Sequence, residues 1–198
     1  MQSSPTLRAR NRDATSQLIL EAVGQCLRDT SLTDLTFAQV ARASGVGERT
    51  VYRYFPTKDH LLDGWWRVHK QSLGQETFPS TASELEAFPL KAFPKFDADA
   101  EVMRGAVLSP QGRAMTLARN TDRMQAIRLA VRSEVGELSE EDETALCAAL
   151  QLLQSATAWL TMRDYWGLTG DQSGAAASRA IQALFKLARQ GEYPELKS

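Results

Sequence analysis

The sequence predicts an all-α protein, and three observations carry that prediction. Apolar residues recur at three- and four-residue spacing along almost the whole chain. Strand-type alternation of apolar and polar residues is nowhere sustained. Gly and Pro breakers fall between the periodic runs at helix-length intervals. About nine helices in two unequal groups are expected. At 198 residues and 43% hydrophobic, the chain can bury a core without disulfide staples.

Each element has a local reason. Between Asp13 and Arg28, the residues Ile19, Ala22, Val23, Cys26 and Leu27 mark one apolar helical face. Thr36 with Gln39 three residues on is a capping box, opening a short helix whose apolar positions are Phe37, Val40 and Ala41. The tight Ala43–Gly47 connection follows, where Gly45 supplies the positive φ of a sharp turn. A second short helix spans about Glu48 to Tyr54 and is stopped by Pro56. Thr57 or its neighbour opens a long helix through Leu61, Leu62, Trp65, Trp66 and His69. Composition shifts around Thr77–Thr81. Pro89 and Pro94 predict a short or kinked helix over 83–96. Asp97 is expected to begin the next, which ends near Ser109. Pro110 sits at a tolerated first-turn position, with its helix continuing to about Arg132. Ser139 with the acids after it opens another, which continues to about Leu160. Asp171 or Ser173 opens the last, which Gly191 and Pro194 close.

Charge first argues against nucleic acid. The chain holds 23 Lys+Arg against 24 Asp+Glu, which excludes a bulk polycation. Divided at the helix before the linker, the sum separates. Residues 1–76 hold 10 basic against 8 acidic side chains, and residues 77–198 hold 13 against 16. A mildly basic head is joined to an acidic body. No apolar stretch approaches the roughly 18 residues of a membrane span, and MQSSPTLRARNRD has no signal-peptide apolar region. A cytoplasmic protein without a membrane partner is therefore expected. Cys26 and Cys147 lie inside helical patterns and read as free thiols rather than a disulfide.

The informative chemistry lies between Leu35 and Lys58. Two short helices joined by a glycine turn form a helix-turn-helix, whose second helix can enter a DNA major groove. Val40, Ala41, Val46, Val51 and Phe55 suit packing inward. The remaining face of the second helix offers Arg49, Thr50, Tyr52 and Arg53, which can donate to phosphates and base edges. Upstream, Arg8, Arg10 and Arg12 alternate with Leu7, Ala9 and Asn11. That pattern reads as a flexible arm for the minor groove or phosphates, or as a merely solvated terminus.

The run Thr36-Phe37-x-x-Val40-Ala41-x-x-Ser44-Gly45-Val46-x-x-x-Thr50-Val51-Tyr52-x-Tyr54-Phe55-x-x-Lys58-x-x-Leu61 resembles the DNA-binding domain of TetR-family transcriptional regulators. The resemblance implies a residue 1–58 arm and DNA-binding head, followed by a residue 59–198 ligand-binding and dimerisation body. It implies that Thr36 meets a phosphate as well as capping its helix. Arg49 and Thr50 would face base edges, Tyr52 and Tyr54 would brace the DNA backbone, and Lys58 would meet another phosphate. Tyr54 reads equally well as core. Gly47 departs from the family, which often has Ser or Thr there, so the recognition helix relies more on tertiary packing. The family also implies a homodimer on a near-palindromic operator, most often a repressor released by a small effector.

The body offers weaker signals. Trp65, Trp66, His69, Phe88, Phe93, Met103, Met115, Met124, Trp159 and Met162 suit either a pocket for a small apolar or amphipathic molecule or plain core. Gln125, Gln154, Thr157 and Arg119 are polar candidates for orienting such a ligand. Ala177, Ile181, Leu184 and Phe185 of the last helix suit either a four-helix dimer interface or a monomeric core. Enzyme readings fail on the residues: His60 and His69 are too few for a metal cluster, no cofactor motif is complete, and no Ser-His-acid arrangement suggests itself. The alternative function is a helical small-molecule-binding or interaction module without operator binding.

Overall fold

The structure is a computed structural model that describes residues 7–30, 32, 34–72, 77–136 and 138–191, with the backbone alone for 7–10 and 70–72. Eleven helices and no strand are present among the described residues. The head comprises α1 (Leu7–Asp29), α2 (Phe37–Ser44), α3 (Glu48–Tyr54) and the start of α4 (Lys58–Ser72). The body comprises α5 (Ala82–Ala98), α6 (Ala100–Leu108), α7 (Pro110–Leu117), α8 (Asn120–Glu134), α9 (Glu140–Leu153), α10 (Ala156–Trp166) and α11 (Gly170–Arg189).

Eleven rather than nine arises from two breaks that no proline or glycine announces. The span 110–132 divides at Ala118–Arg119, and the span 140–166 divides where the Ser155 hydroxyl accepts from Ala158 N to cap α10. The expected flexible arm is corrected too. Residues 7–12 are the first turns of α1. Leu7, Arg8, Ala9 and Arg10 are good helix formers, so the turn propagates outward from the anchored part of α1. The side chains of Arg8 and Arg10 lie outside the described residues.

In α1, Ile19, Ala22, Val23 and Leu27 are buried as their spacing predicts, and Cys26 is half-buried. Both cysteines are free thiols. Fully burying a side chain such as Ile19 is worth about 1.5–3 kcal/mol. This face gathers Val40 of α2, Val51 of α3, Phe55, and Leu61 and Leu62 of α4. The same core continues without a gap through Trp65 and Trp66 into Phe93, Phe96, Met103 and Trp159 of the body. A second core joins Leu85, Ile127, Leu146, Leu150, Ile181 and Phe185.

The prolines of α5 do not shorten it. Thr81 and Glu84 form a capping box at its start, and the helix runs on through both Pro89 and Pro94. An interior proline costs about 3 kcal/mol, and that cost is offset by the packing of α5 on α11, the most extensive helix pair among the described residues. Gly170 and Gly174 bring the α11 backbone directly against the backbone at Phe93 and Pro89. The apolar stripe of α11 is spent here. Ala177, Ile181 and Phe185 are fully buried within one chain. They form part of the core of the single chain, while Ala180 and Leu184 of the same helix are half-buried.

Asp97 does not begin a helix, as its position suggested. Its carboxylate reaches across 73 residues to accept from Gly170 N at the start of α11, and also takes hydrogen bonds from Trp159 Nε1 (3.0 Å) and Arg163. Burial opposes ionisation of Asp97, but the bonds from Gly170, Trp159 and Arg163 outweigh it and hold the carboxyl below its ordinary value. The resulting stability is complete above the ordinary aspartate pKa of about 3.9. It is lost as pH falls from there through the lower folded value. Asp97→Asn is therefore expected to destabilise the protein at neutral pH by about 1.5–3 kcal/mol and to flatten the acid limb of the stability curve. Urea titrations between pH 3 and 7 check this; an unchanged limb removes Asp97 from the account.

Candidate functional site

The head presents one exposed helix face. Thr36 accepts from Gln39 N (3.3 Å), and Gln39 Oε1 accepts from Thr36 N (2.7 Å), so both halves of the capping box form. The turn into α3 passes through Gly45 at φ 70°, the left-handed region that a side chain disfavours. Ser44 closes α2 by donating to Val40 O (2.7 Å). Gly47 stands at the N-cap of α3 with no side-chain cap bond, leaving that helix dependent on packing. Two contacts supply it: Val51 is fully buried, and Tyr52 lies flat on Phe37 of α2, with ring centroids 4.1 Å apart and planes within 6°.

This geometry sorts the expected DNA contacts. Arg49 and Arg53 are exposed, and Thr50 is half-buried on the same short helix. Tyr52 is 47% exposed although its ring is fixed from below by Phe37. Tyr54 is half-buried against the core with Arg53 over its ring at 5.6 Å. Lys58 is the first residue of α4, where Thr57 Oγ1 accepts from His60 N (3.2 Å). Thr36, Arg49, Thr50 and Lys58 therefore stand at or near the starts of α2, α3 and α4, and Tyr52 stands in the last turn of α3.

The body holds a cavity of about 530 Å³, within the usual range for small-molecule sites. Of the expected ligand residues, Trp66, Met103, Met124, Gln154 and Thr157 stand on its wall. His69 and Gln125 do not. The His69 ring stacks on Trp65 and Trp66, with centroids 4.8 and 5.6 Å away, and burial pushes its pKa down, while Asp99 pulls the other way. Gln125 is exposed on α8. Phe88 also stands on the wall, whereas Trp65, Phe93, Met115 and Trp159 are buried core. Arg119 stacks on Phe78 at 4.7 Å without reaching the wall.

Several wall residues escaped the sequence reading: Phe78, Phe96, Asn120, Arg123, Arg128 and Gln151. Asn120 and Arg123 share a face of α8 at i, i+3, but nothing in that spacing tells a cavity from solvent. The floor is apolar, from Trp66, Phe88, Phe96, Met103 and Ile127. The polar side is a short network. Arg123 donates to Asn120 Oδ1 (3.2 Å), and Gln151 Nε2 donates to the same oxygen (3.1 Å). Gln154 is 6% exposed, and its Oε1 accepts no hydrogen bond from the described residues.

A three-helix head ending in a helix-turn-helix, with hydrogen-bond donors on the outer face of its last helix, is that of a DNA-binding protein. Residues 19–64 match the sequence pattern of bacterial regulatory proteins, tetR family. The fold is similar to that of a TetR transcriptional regulator from Rhodococcus sp. RHA1, with a TM-score of 0.51 and 19% identity over 87% of this chain and 95% of that one. Residues 19–64 are therefore a DNA-binding domain of the tetR type, carried on a fold similar to that of a TetR transcriptional regulator. Members of that family are transcriptional regulators rather than enzymes. Among the described residues, no single helix is long and apolar enough to cross a membrane.

Proposed function

We propose that this chain is a homodimeric repressor released from a near-palindromic operator by a small amphipathic effector bound in the body. The observation that carries the reading is Trp66, which lines the cavity and packs in one continuous core with Val51, Phe55 and Leu61 of the head. An occupant that displaces Trp66 acts on α4, the helix joining head to body. The divide is accordingly assigned at residue 58, with 1–58 reading DNA and 59–198 sensing and assembling. Two heads would meet successive major grooves about 34 Å apart. Release then needs only a differential affinity of the effector for two head spacings.

Arg49 and Thr50 would read base edges, with Thr36, Tyr52, Tyr54 and Lys58 on the phosphates. Arg8 and Arg10, now at the start of α1, would extend that contact along the backbone. Assembly would use surface that the monomer leaves open, such as Tyr165 and Trp166 at the end of α10, 82% and 77% exposed. Such a regulator works where the chromosome is, in the cytoplasm.

Arg49→Ala is expected to weaken operator binding by about 1–3 kcal/mol and to relax preference at one base position. Fluorescence anisotropy on duplexes from the chain's own upstream region, with each position varied in turn, measures both. A uniform loss across all duplexes assigns Arg49 to phosphate. An absence of salt-dependent binding by the wild-type chain removes the operator and leaves a helical ligand-binding module.

A further inference from the structure

We propose that the cavity takes an amphipathic carboxylate, with Arg123 as the seat of its anionic head and the aromatic floor as the seat of its apolar body. This deepens the effector reading above and rests on it. Three features of the wall support it. First, no Asp or Glu lines the cavity, whereas two arginines do. Secondly, the two differ in partners. Arg128 is matched by Glu143 at 3.3 Å. Arg123 is half-buried and, among the described residues, pairs with no carboxylate; it touches only neutral groups. These are Asn120 Oδ1 at 3.2 Å, Thr116 O at 3.5 Å and the face of Phe78 at 4.9 Å. Thirdly, Gln154 is buried on the same wall, with its carbonyl oxygen unused among the described residues.

The electrostatics run the same way. A half-buried guanidinium without a counter-ion is costly. Burial, and then the charge of Arg119, which also stands over the Phe78 ring, push the Arg123 pKa below the ordinary arginine value. Arg119 itself has Asp122 at 3.9 Å, which leaves Arg123 as the wall cation with no carboxylate among the described residues. An incoming carboxylate supplies the missing charge in fork geometry. Gln154 Oε1 accepts from a hydroxyl or amide on the same molecule, if it has one. Trp66, Phe88, Phe96, Met103 and Ile127 cover its apolar part.

The test uses the full chain and matched probes: decanoate, 1-decanol and decylammonium, and 4-phenylbutyrate with 4-phenylbutanol. Binding is followed by tryptophan fluorescence and calorimetry. At least one acid is expected to bind roughly tenfold to a hundredfold tighter than its alcohol, with decylammonium weakest of the ten-carbon series. Arg123→Gln should remove that preference while the alcohol still binds; Arg123→Lys should retain part of it. Retained alcohol binding shows that the variant cavity is folded. Acids binding no better than their alcohols, or a preference that survives Arg123→Gln, would overturn the proposal. The two readings fail separately. An acid that binds at Arg123 without loosening DNA contradicts effector release alone. DNA released by an alcohol as readily as by its acid contradicts the carboxylate alone.

Discussion

Replacing Trp159 by alanine is expected to cost about 3–5 kcal/mol, the range for deleting a large buried aromatic side chain. Trp159 is fully buried and meets Phe96 edge-on, with centroids 5.8 Å apart. Its Nε1 donates to Asp97, and Arg163 stands 5.7 Å above its ring. The substitution therefore opens a void and removes one of the bonds that hold Asp97 at the start of α11. Trp159→Phe separates the two effects, because the ring volume largely stays while the Nε1 bond goes. Guanidinium unfolding curves should rank wild type, Phe and Ala in falling order of stability. Phe96 also lines the cavity, so effector binding should weaken in the same order. A Trp159→Ala chain as stable as wild type would falsify the packing account.

A valine at Gly174 is expected to be nearly as damaging, at about 3 kcal/mol. A Cβ there would stand 2.7 Å from Pro89 O and 3.3 Å from Leu90 Cα, both backbone atoms of α5. Neither can rotate aside, so the two helices must separate and the buried stripe of Ala177, Ile181 and Phe185 loosens with them. Even Gly174→Ala should destabilise, although alanine ordinarily improves a helix interior by about 0.5–1 kcal/mol. Gly105→Ala is the matched control. Its Cβ would meet only Leu32 at an ordinary 3.6 Å, so the helix gain should survive. Opposite signs for the two alanines in thermal denaturation are the expected result. Equal signs would mean that the α5–α11 approach is looser than described.

Residues whose partners are near in sequence were the legible ones. Thr36 and Gln39 cap α2 within one turn, Gly45 needs only its own backbone conformation, and the α1 face follows from 3.6-residue periodicity. The helix-turn-helix was legible for the same reason, since its packing and its outward face are both set within about twenty-five residues. The cavity was half legible. Trp66, Met103 and Gln154 could be singled out by type, but what separates wall from core is the position of helices far apart in the chain. Arg123 was missed on that account, as the role proposed for it comes from having no carboxylate beside it among the described residues. Asp97 was misread because an acid after a proline-broken helix imitates a helix start. Its role depends on Gly170, Trp159 and Arg163, all more than 60 residues away. The α1 start was misplaced because alternating Arg8, Arg10 and Arg12 carry no amphipathic pattern, while propensity and an anchored neighbour suffice to extend the helix.

Selection of bound DNA from a random duplex pool, by the purified chain at low salt and again with the binding acid present, bears on the central claim most directly. The account predicts enrichment of one near-palindromic site with half-sites about one helical turn apart, bound with a steep salt dependence and depleted when the acid is added. A pool that stays random through successive rounds, with no salt-dependent retention, would contradict it.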